Sequence, residues 1–177
     1  MIDQYDENNI STCGLDYLTK EVDINGTKFK VKLWDSAGQE MYHNLAKNYF
    51  HKCEGILIVF DICDKRTFDH LNYWIQEIEE NTNSNHLTQI VIVGNKSDLE
   101  DKRQVSREEG EKYASEHSLK YFEISAKDNI GINALMTSLL TDIVKTKEKY
   151  GNDENYNEKI ELKNAKNKGN KKGNCCK

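Results

Sequence analysis

The chain has 177 residues, enough for one domain with a sizeable core and a tail. Hydrophobic residues make up 37% and charged residues 31%, and there is no run of 18 apolar residues and no leader-like apolar stretch, so a soluble or peripherally attached chain is expected. The net charge of −5 divides into +6 over residues 163–177, which hold six lysines and no acid, and −11 over the rest. An acidic body argues against a nucleic-acid-binding domain, and a basic tail suits an anionic surface such as the cytoplasmic leaflet.

Five cysteines, Cys13, Cys53, Cys63, Cys175 and Cys176, show no C-x-x-C spacing, so neither a zinc site nor a redox pair is indicated. Residues 1–12 have little periodicity and read as irregular. Residues 18–24 read as a strand, and Asn25-Gly26 forms a two-residue turn into a second strand over 27–34, a hairpin signature. Phe29, Val31 and Leu33 share one face of that second strand. A short helix is expected over 41–50. Residues 55–61 are a continuous apolar run of strand length, as in a parallel sheet buried on both faces.

Phe68, Leu71, Trp74, Ile75 and Ile78 recur at helical spacing over 65–80. A second buried strand spans 89–94. Ser106-Arg107-Glu108-Glu109 matches a capping box that opens a helix to about residue 117. A third buried strand spans 121–125, and a last helix runs from 132 to about 147 with Leu135, Leu139, Leu140 and Ile143 on one face. Strands alternating with helices after an initial hairpin predict an α/β fold, mostly parallel with helices on both faces of the sheet. From about residue 148 the apolar pattern stops, and the tail is expected to be disordered.

Three loops follow predicted strands. Trp34-Asp35-Ser36-Ala37-Gly38-Gln39-Glu40 brings a carboxylate, a glycine and an amide to a strand's C-terminal end, where ligands bind in open α/β sheets. An Asp can hold Mg²⁺ through water, and a glycine lets a backbone N–H approach a phosphate oxygen. Asn95-Lys96-Ser97-Asp98 suits guanine: its Asp can accept from the ring N–H and the exocyclic amine, an arrangement adenine does not present. Lys96 can lay its stem along the base, and in Ser125-Ala126-Lys127 the Ala126 N–H can meet the guanine oxygen. Any one of these loop motifs alone fits a solvated turn; three of them in this order, each at the end of a predicted strand, argue against that reading.

On these motifs the chain resembles the Rab family of small GTPases, within the Ras superfamily, over residues 9–147 and again at its last residues. Ile10-Ser11-Thr12-Cys13-Gly14-Leu15-Asp16-Tyr17 resembles the Rab switch I segment, and residues 30–40, Tyr49-Phe50 with Gly55, and Ile58-Val59-Phe60-Asp61 resemble further Rab segments. Ser36, Cys13 and Met41 stand where Thr, Ile and Arg are usual. The resemblance implies a small-GTPase fold, GTP/GDP and Mg²⁺ as ligands, and GTP hydrolysis as the activity. It implies that Thr12 binds Mg²⁺ and senses the γ-phosphate, that Asp35 holds the metal through water, and that Gly38 contacts the γ-phosphate. Gln39 would be the catalytic residue that orients the attacking water. Asn95, Lys96, Asp98, Ser125, Ala126 and Lys127 would complete the nucleotide site, and Tyr17, Trp34 and Tyr49 would form the aromatic triad that Rab effectors read.

Cys175-Cys176-Lys177 is not a C-a-a-X box and resembles the double-cysteine ends of Rabs, which carry two geranylgeranyl groups. Two lipid chains anchor stably where one anchors marginally. The implied role is a GTP/GDP-switched, membrane-attached regulator of vesicle traffic at the cytoplasmic face of intracellular membranes, with a cytosolic pool. Its implied partners are exchange factors, GTPase-activating proteins, escort protein and prenyl transferase, and effectors. The expected division is a GTPase domain over 1–147, incomplete at its N-terminus, and a disordered basic tail over 148–177.

One family part has no counterpart in these residues. The phosphate-binding loop ends in Gly-Lys-Ser/Thr, and none of the ten glycines here is followed by lysine. Residues 1–5 align with the end of the family's first helix. The expected fold therefore lacks the central first strand and most of the first helix, leaving the strands at 27–34 and 55–61 with unpaired backbone groups across a gap. That loop would supply several charge-assisted hydrogen bonds of about 1.5–3 kcal/mol each, so weak nucleotide binding is expected. Two expectations follow: an incomplete version of a working Rab, starting at an internal methionine, or a non-enzymatic prenylated Rab-like interaction module that binds no nucleotide.

Overall fold

The structure, a computed structural model, describes residues 15–24, 26–36, 49–50, 52–82 and 88–150. Strands β1 (Leu15–Ile24) and β2 (Thr27–Ser36) form an antiparallel hairpin with Tyr17 opposite Trp34 and Asp23 opposite Lys28. Gly26 takes φ +82° in the turn, a conformation open to glycine at little cost, and its N–H donates to Asp23 Oδ1 at 2.8 Å. Both strands are longer than expected: pairing of Leu15 with Ser36 and Asp16 with Asp35 carries the ladder past the Tyr17–Trp34 aromatic contact. Asp35 thus lies inside β2. Phe29 and Val31 are half-buried, but Leu33 is exposed, so the apolar face of β2 is only partly covered.

The chain then alternates. β3 (Gly55–Asp61) leads into α1 (Lys65–Asp69) and α2 (Leu71–Asn81), then β4 (Gln89–Asn95), α3 (Arg107–Glu116), β5 (Lys120–Glu123) and α4 (Ile132–Tyr150). The single helix expected over 65–80 is two helices meeting at His70, whose ψ of −7° departs from the helical value. Phe68 and Leu71, on either side of this break, are both buried, so packing overrides local regularity. Asp64 caps α1 by accepting from the Arg66 N–H, and Ser106 caps α3 by accepting from the Glu109 N–H at 3.1 Å. This is one half of the expected capping box; the Glu109 carboxylate pairs with the Lys65 ammonium. The helix expected over 41–50 lies outside the described residues except at Tyr49 and Phe50, which are helical; residues 151–177 also lie outside them.

β3, β4 and β5 form a parallel sheet in that order. Alternating side chains feed two cores. Ile58, Phe60 and Ile92 pack with Phe68, Leu71, Ile75, Ile78 and Val105 on one face, while Val91 and Val93 pack with Ile124, Leu135 and Leu139 of the α4 side. Helices therefore cover both faces, as expected, and each fully buried aliphatic side chain contributes roughly 1.5–3 kcal/mol. Two departures stand out. Val59, on the edge strand, is 53% exposed, so β3 is not buried throughout on both faces. Among the described residues no ladder joins β2 to β3, and the sheet is a three-stranded parallel one beside a separate hairpin.

Candidate functional site

The C-terminal ends of the three parallel strands converge. β3 ends at Asp61 and β4 at Asn95, directly opposite each other in the register. β5 ends at Glu123, earlier than the expected 125, although the Ile124 N–H still donates to Gly94 O at 2.8 Å. Ser125 leaves the sheet because its backbone pairs with Ile130, closing the turn Ala126–Asn129.

Two loops are fastened together at this edge. The buried Ser125 hydroxyl donates to Asp98 Oδ1 at 2.6 Å and accepts from the Asp128 N–H at 3.0 Å. The Ser97 N–H donates to Ile124 O at 3.0 Å, and the Ala126 N–H donates to Asn95 Oδ1 at 3.1 Å. The hydrogen bond from Ser125 holds the Asp98 carboxyl below the usual range, so at neutral pH it is an ionised acceptor. Oδ2 of that carboxylate is not the oxygen engaged by Ser125. An ionised carboxylate of this kind can accept from adjacent N–H donors. The Ala126 N–H expected to serve a guanine oxygen is engaged by Asn95 in this structure.

Lys96 adopts φ +70°, in the left-handed region, which turns the chain sharply at the end of β4. Its Nζ lies 2.5 Å from Asp61 Oδ2, while Asp61 Oδ1 accepts from the Cys63 N–H at 2.8 Å. Asp61 is a residue to which sequence reading assigned no role; the signal was a carboxylate ending an apolar strand. Lys127 is exposed beside Ala126.

Below this edge, Arg103 donates to both oxygens of Glu123 at 2.8 and 2.9 Å and also to Glu100, and the Tyr121 hydroxyl donates to Glu123 Oε1 at 2.8 Å. Burial would raise the Glu123 carboxyl, but the donors Arg103 and Tyr121 outweigh it and hold it below its ordinary value.

The remaining expected residues lie apart from these loops or outside the described residues. Asp35 is exposed on β2, opposite Asp16. As a hard oxygen donor it suits Mg²⁺, though among the described residues no group of three or more His, Cys, Asp or Glu side chains could hold a metal ion. Tyr17, Trp34 and Tyr49 lie in series with their rings tilted by 44° and 43° and ring centres 4.9 and 4.8 Å apart. Thr12, Gly38, Gln39, Cys175 and Cys176 lie outside the described residues. No helix among the described residues is long and apolar enough to cross a membrane.

These loops sit at the C-terminal ends of a parallel α/β sheet, and comparison with known proteins assigns the chain to a family. The model of the Ras family matches residues 1–145. Ras-related protein Rab-10 of Diplobatis ommata is 38% identical over 142 residues, covering 80% of this chain and 70% of the relative. Ras-related protein Rab-8B of Bos taurus is 37% identical over 153 residues, covering 86% and 73%, and Ras-related protein Rab-13 of Bos taurus is 37% identical over 142 residues, covering 80% and 69%. The chain belongs to the Ras family and, within it, to the Rab small GTPases.

Proposed function

We propose that the chain acts as a GTP/GDP switch that regulates intracellular vesicle traffic. The observation that carries this reading is the fastening of Asn95–Asp98 to Ser125–Ala126, which presents an ionised Asp98 carboxylate beside two backbone loops at the strand ends. Asp98 accepts from the guanine ring N–H and exocyclic amine, Lys96 flanks the base, and Asn95, Ser125, Ala126 and Lys127 complete the pocket. Opening the Asn95–Ala126 hydrogen bond frees an N–H for the guanine oxygen. Thr12 and Asp35 hold Mg²⁺, which when bound neutralises phosphate charge. Gly38 approaches the γ-phosphate and Gln39 orients the attacking water.

Residues 1–147 form the GTPase domain and 148–177 a basic tail that ends in the prenylated Cys175 and Cys176. The tail attaches the protein to the cytoplasmic face of intracellular membranes, in exchange with a cytosolic pool. Exchange factors, GTPase-activating proteins, the escort protein and prenyl transferase, and effectors reading Tyr17, Trp34 and Tyr49 are the partners. The second reading is a prenylated Rab-like interaction module without nucleotide, which applies if the whole protein, and not only these 177 residues, has no Gly-Lys pair.

Fluorescent (mant-labelled) GTP binding separates the two readings. It is measured on this chain and on the same chain preceded by a strand, a Gly-x-x-x-x-Gly-Lys-Ser loop and a helix. The switch reading predicts weak binding by the first and tight, hydrolysis-competent binding by the second. Failure of the second to bind, although folded, supports the nucleotide-free module.

A further inference from the structure

The hairpin carries a cation that the reading above does not use. Lys28, Lys30 and Lys32 lie on the face of β2 that holds Trp34, because side chains alternate along a strand. Across the ladder Lys28 meets Asp23 and Lys30 meets Glu21, opposite charges in direct register. Lys32 meets Thr19 instead. Its Nζ lies 3.9 Å from the centre of the Tyr17 ring and 4.2 Å from that of Trp34. Asp16 and Asp35 occupy the opposite face of the hairpin. The aromatic row thus carries a positive charge whose cross-strand neighbour is not a carboxylate, in a chain whose residues 1–162 sum to −11.

We infer that Lys32 makes the Tyr17–Trp34–Tyr49 row a docking surface for a protein segment that presents a carboxylate beside an apolar side chain. The inference rests on the reading of that row as the effector platform. Tyr17 is 53% exposed, leaving ring surface for an apolar side chain to cover. Covering the row removes water from Lys32. An ammonium held over aromatic rings gains from desolvation, but its full charge then needs an acceptor, which a partner carboxylate supplies. A basic segment is repelled at the same point, so Lys32 selects partners by sign. Charge complementarity of this kind governs specificity and association rate more than total affinity.

The test is selection of a displayed library of random short peptides on the 177-residue chain and on its Lys32→Gln, Lys32→Glu and Trp34→Ala variants, each checked for a cooperative melt. The wild-type chain is expected to enrich Asp or Glu next to a large apolar residue. A peptide so selected should bind Lys32→Gln about tenfold more weakly, and Lys32→Glu should shift the enrichment to Lys and Arg. No consensus, a neutral or basic consensus, or an acidic consensus with unchanged affinity for Lys32→Gln would overturn the inference. So would phosphatidylserine vesicle binding that disappears in Lys32→Gln, which would assign the charge to a membrane. Peptides indifferent to Trp34→Ala would overturn the platform reading itself and the inference with it.

Discussion

The hairpin and the parallel sheet solve different problems with similar strands. In the parallel sheet helices pack on both faces, with Val59 of the edge strand left exposed; Ile92 and Val93 of β4, and Ile62 and Val105 in the loops after β3 and β4, are completely inaccessible. In β1–β2 the large apolar residues Tyr17, Leu18 and Leu33 remain between 39% and 53% exposed. Burial explains why the loops at the sheet edge are fixed: Asn95 follows the buried segment Val91–Gly94, and Ser125 is itself buried next to the buried Ile124, so their hydrogen bonds are preset. The hairpin instead offers contact surface. On the proposed function, binding geometry belongs to the first region and partner contact to the second.

That contrast can be broken by mutation. Phe60 is 2% exposed and its ring meets Phe68 and Tyr121, with centres 5.1 and 6.3 Å away. Phe60→Ala should destabilise by about 3–5 kcal/mol in denaturant unfolding, from lost burial plus a cavity. Glu123→Gln weakens the partner of the half-buried Arg103 and should destabilise by about 2 kcal/mol, since Arg103 keeps Glu100. The same residue sets a pH dependence. Its folded pKa is depressed from 4.5, so its contribution is fully present above that value and is lost as pH falls through the lower, folded pKa. The acid limb of a stability–pH curve should therefore flatten in Glu123→Gln.

Ser125→Ala removes the donor to Asp98 and the acceptor for Asp128 and should destabilise by about 1–2 kcal/mol, read from the same unfolding curves. Leu33→Ala, at the hairpin's exposed position, should change stability by less than about 1 kcal/mol. A large effect at Leu33 would show that the hairpin is packed as the sheet is, and the contrast would fail.

Much of this was legible from the chain. The apolar runs at 55–61 and 89–94 announced buried parallel strands, and Ser106 announced its helix, because burial and capping leave local patterns. The break at His70 left none, since it follows from where Phe68 and Leu71 meet the sheet. The exposure of Val59 was equally hidden, because edge position depends on strand order. At the site, Asn95, Lys96, Asp98, Ser125 and Ala126 were readable as loop motifs. The pairing of Lys96 with Asp61 joins two strands distant in sequence, and the place of Lys32 over Tyr17 and Trp34 depends on hairpin register. Both required the fold.

The guanine specificity proposed for the sheet-edge loops can be tested directly by NMR titration of the 177-residue chain with GDP and with ADP, following the Ala126 amide and the Asn95 side-chain amide. The account predicts that GDP shifts both resonances as the Asn95–Ala126 hydrogen bond opens, that ADP shifts neither, and that Asp98→Ala abolishes the response. Equal shifts with GDP and ADP, or a GDP response unchanged in Asp98→Ala, would contradict it.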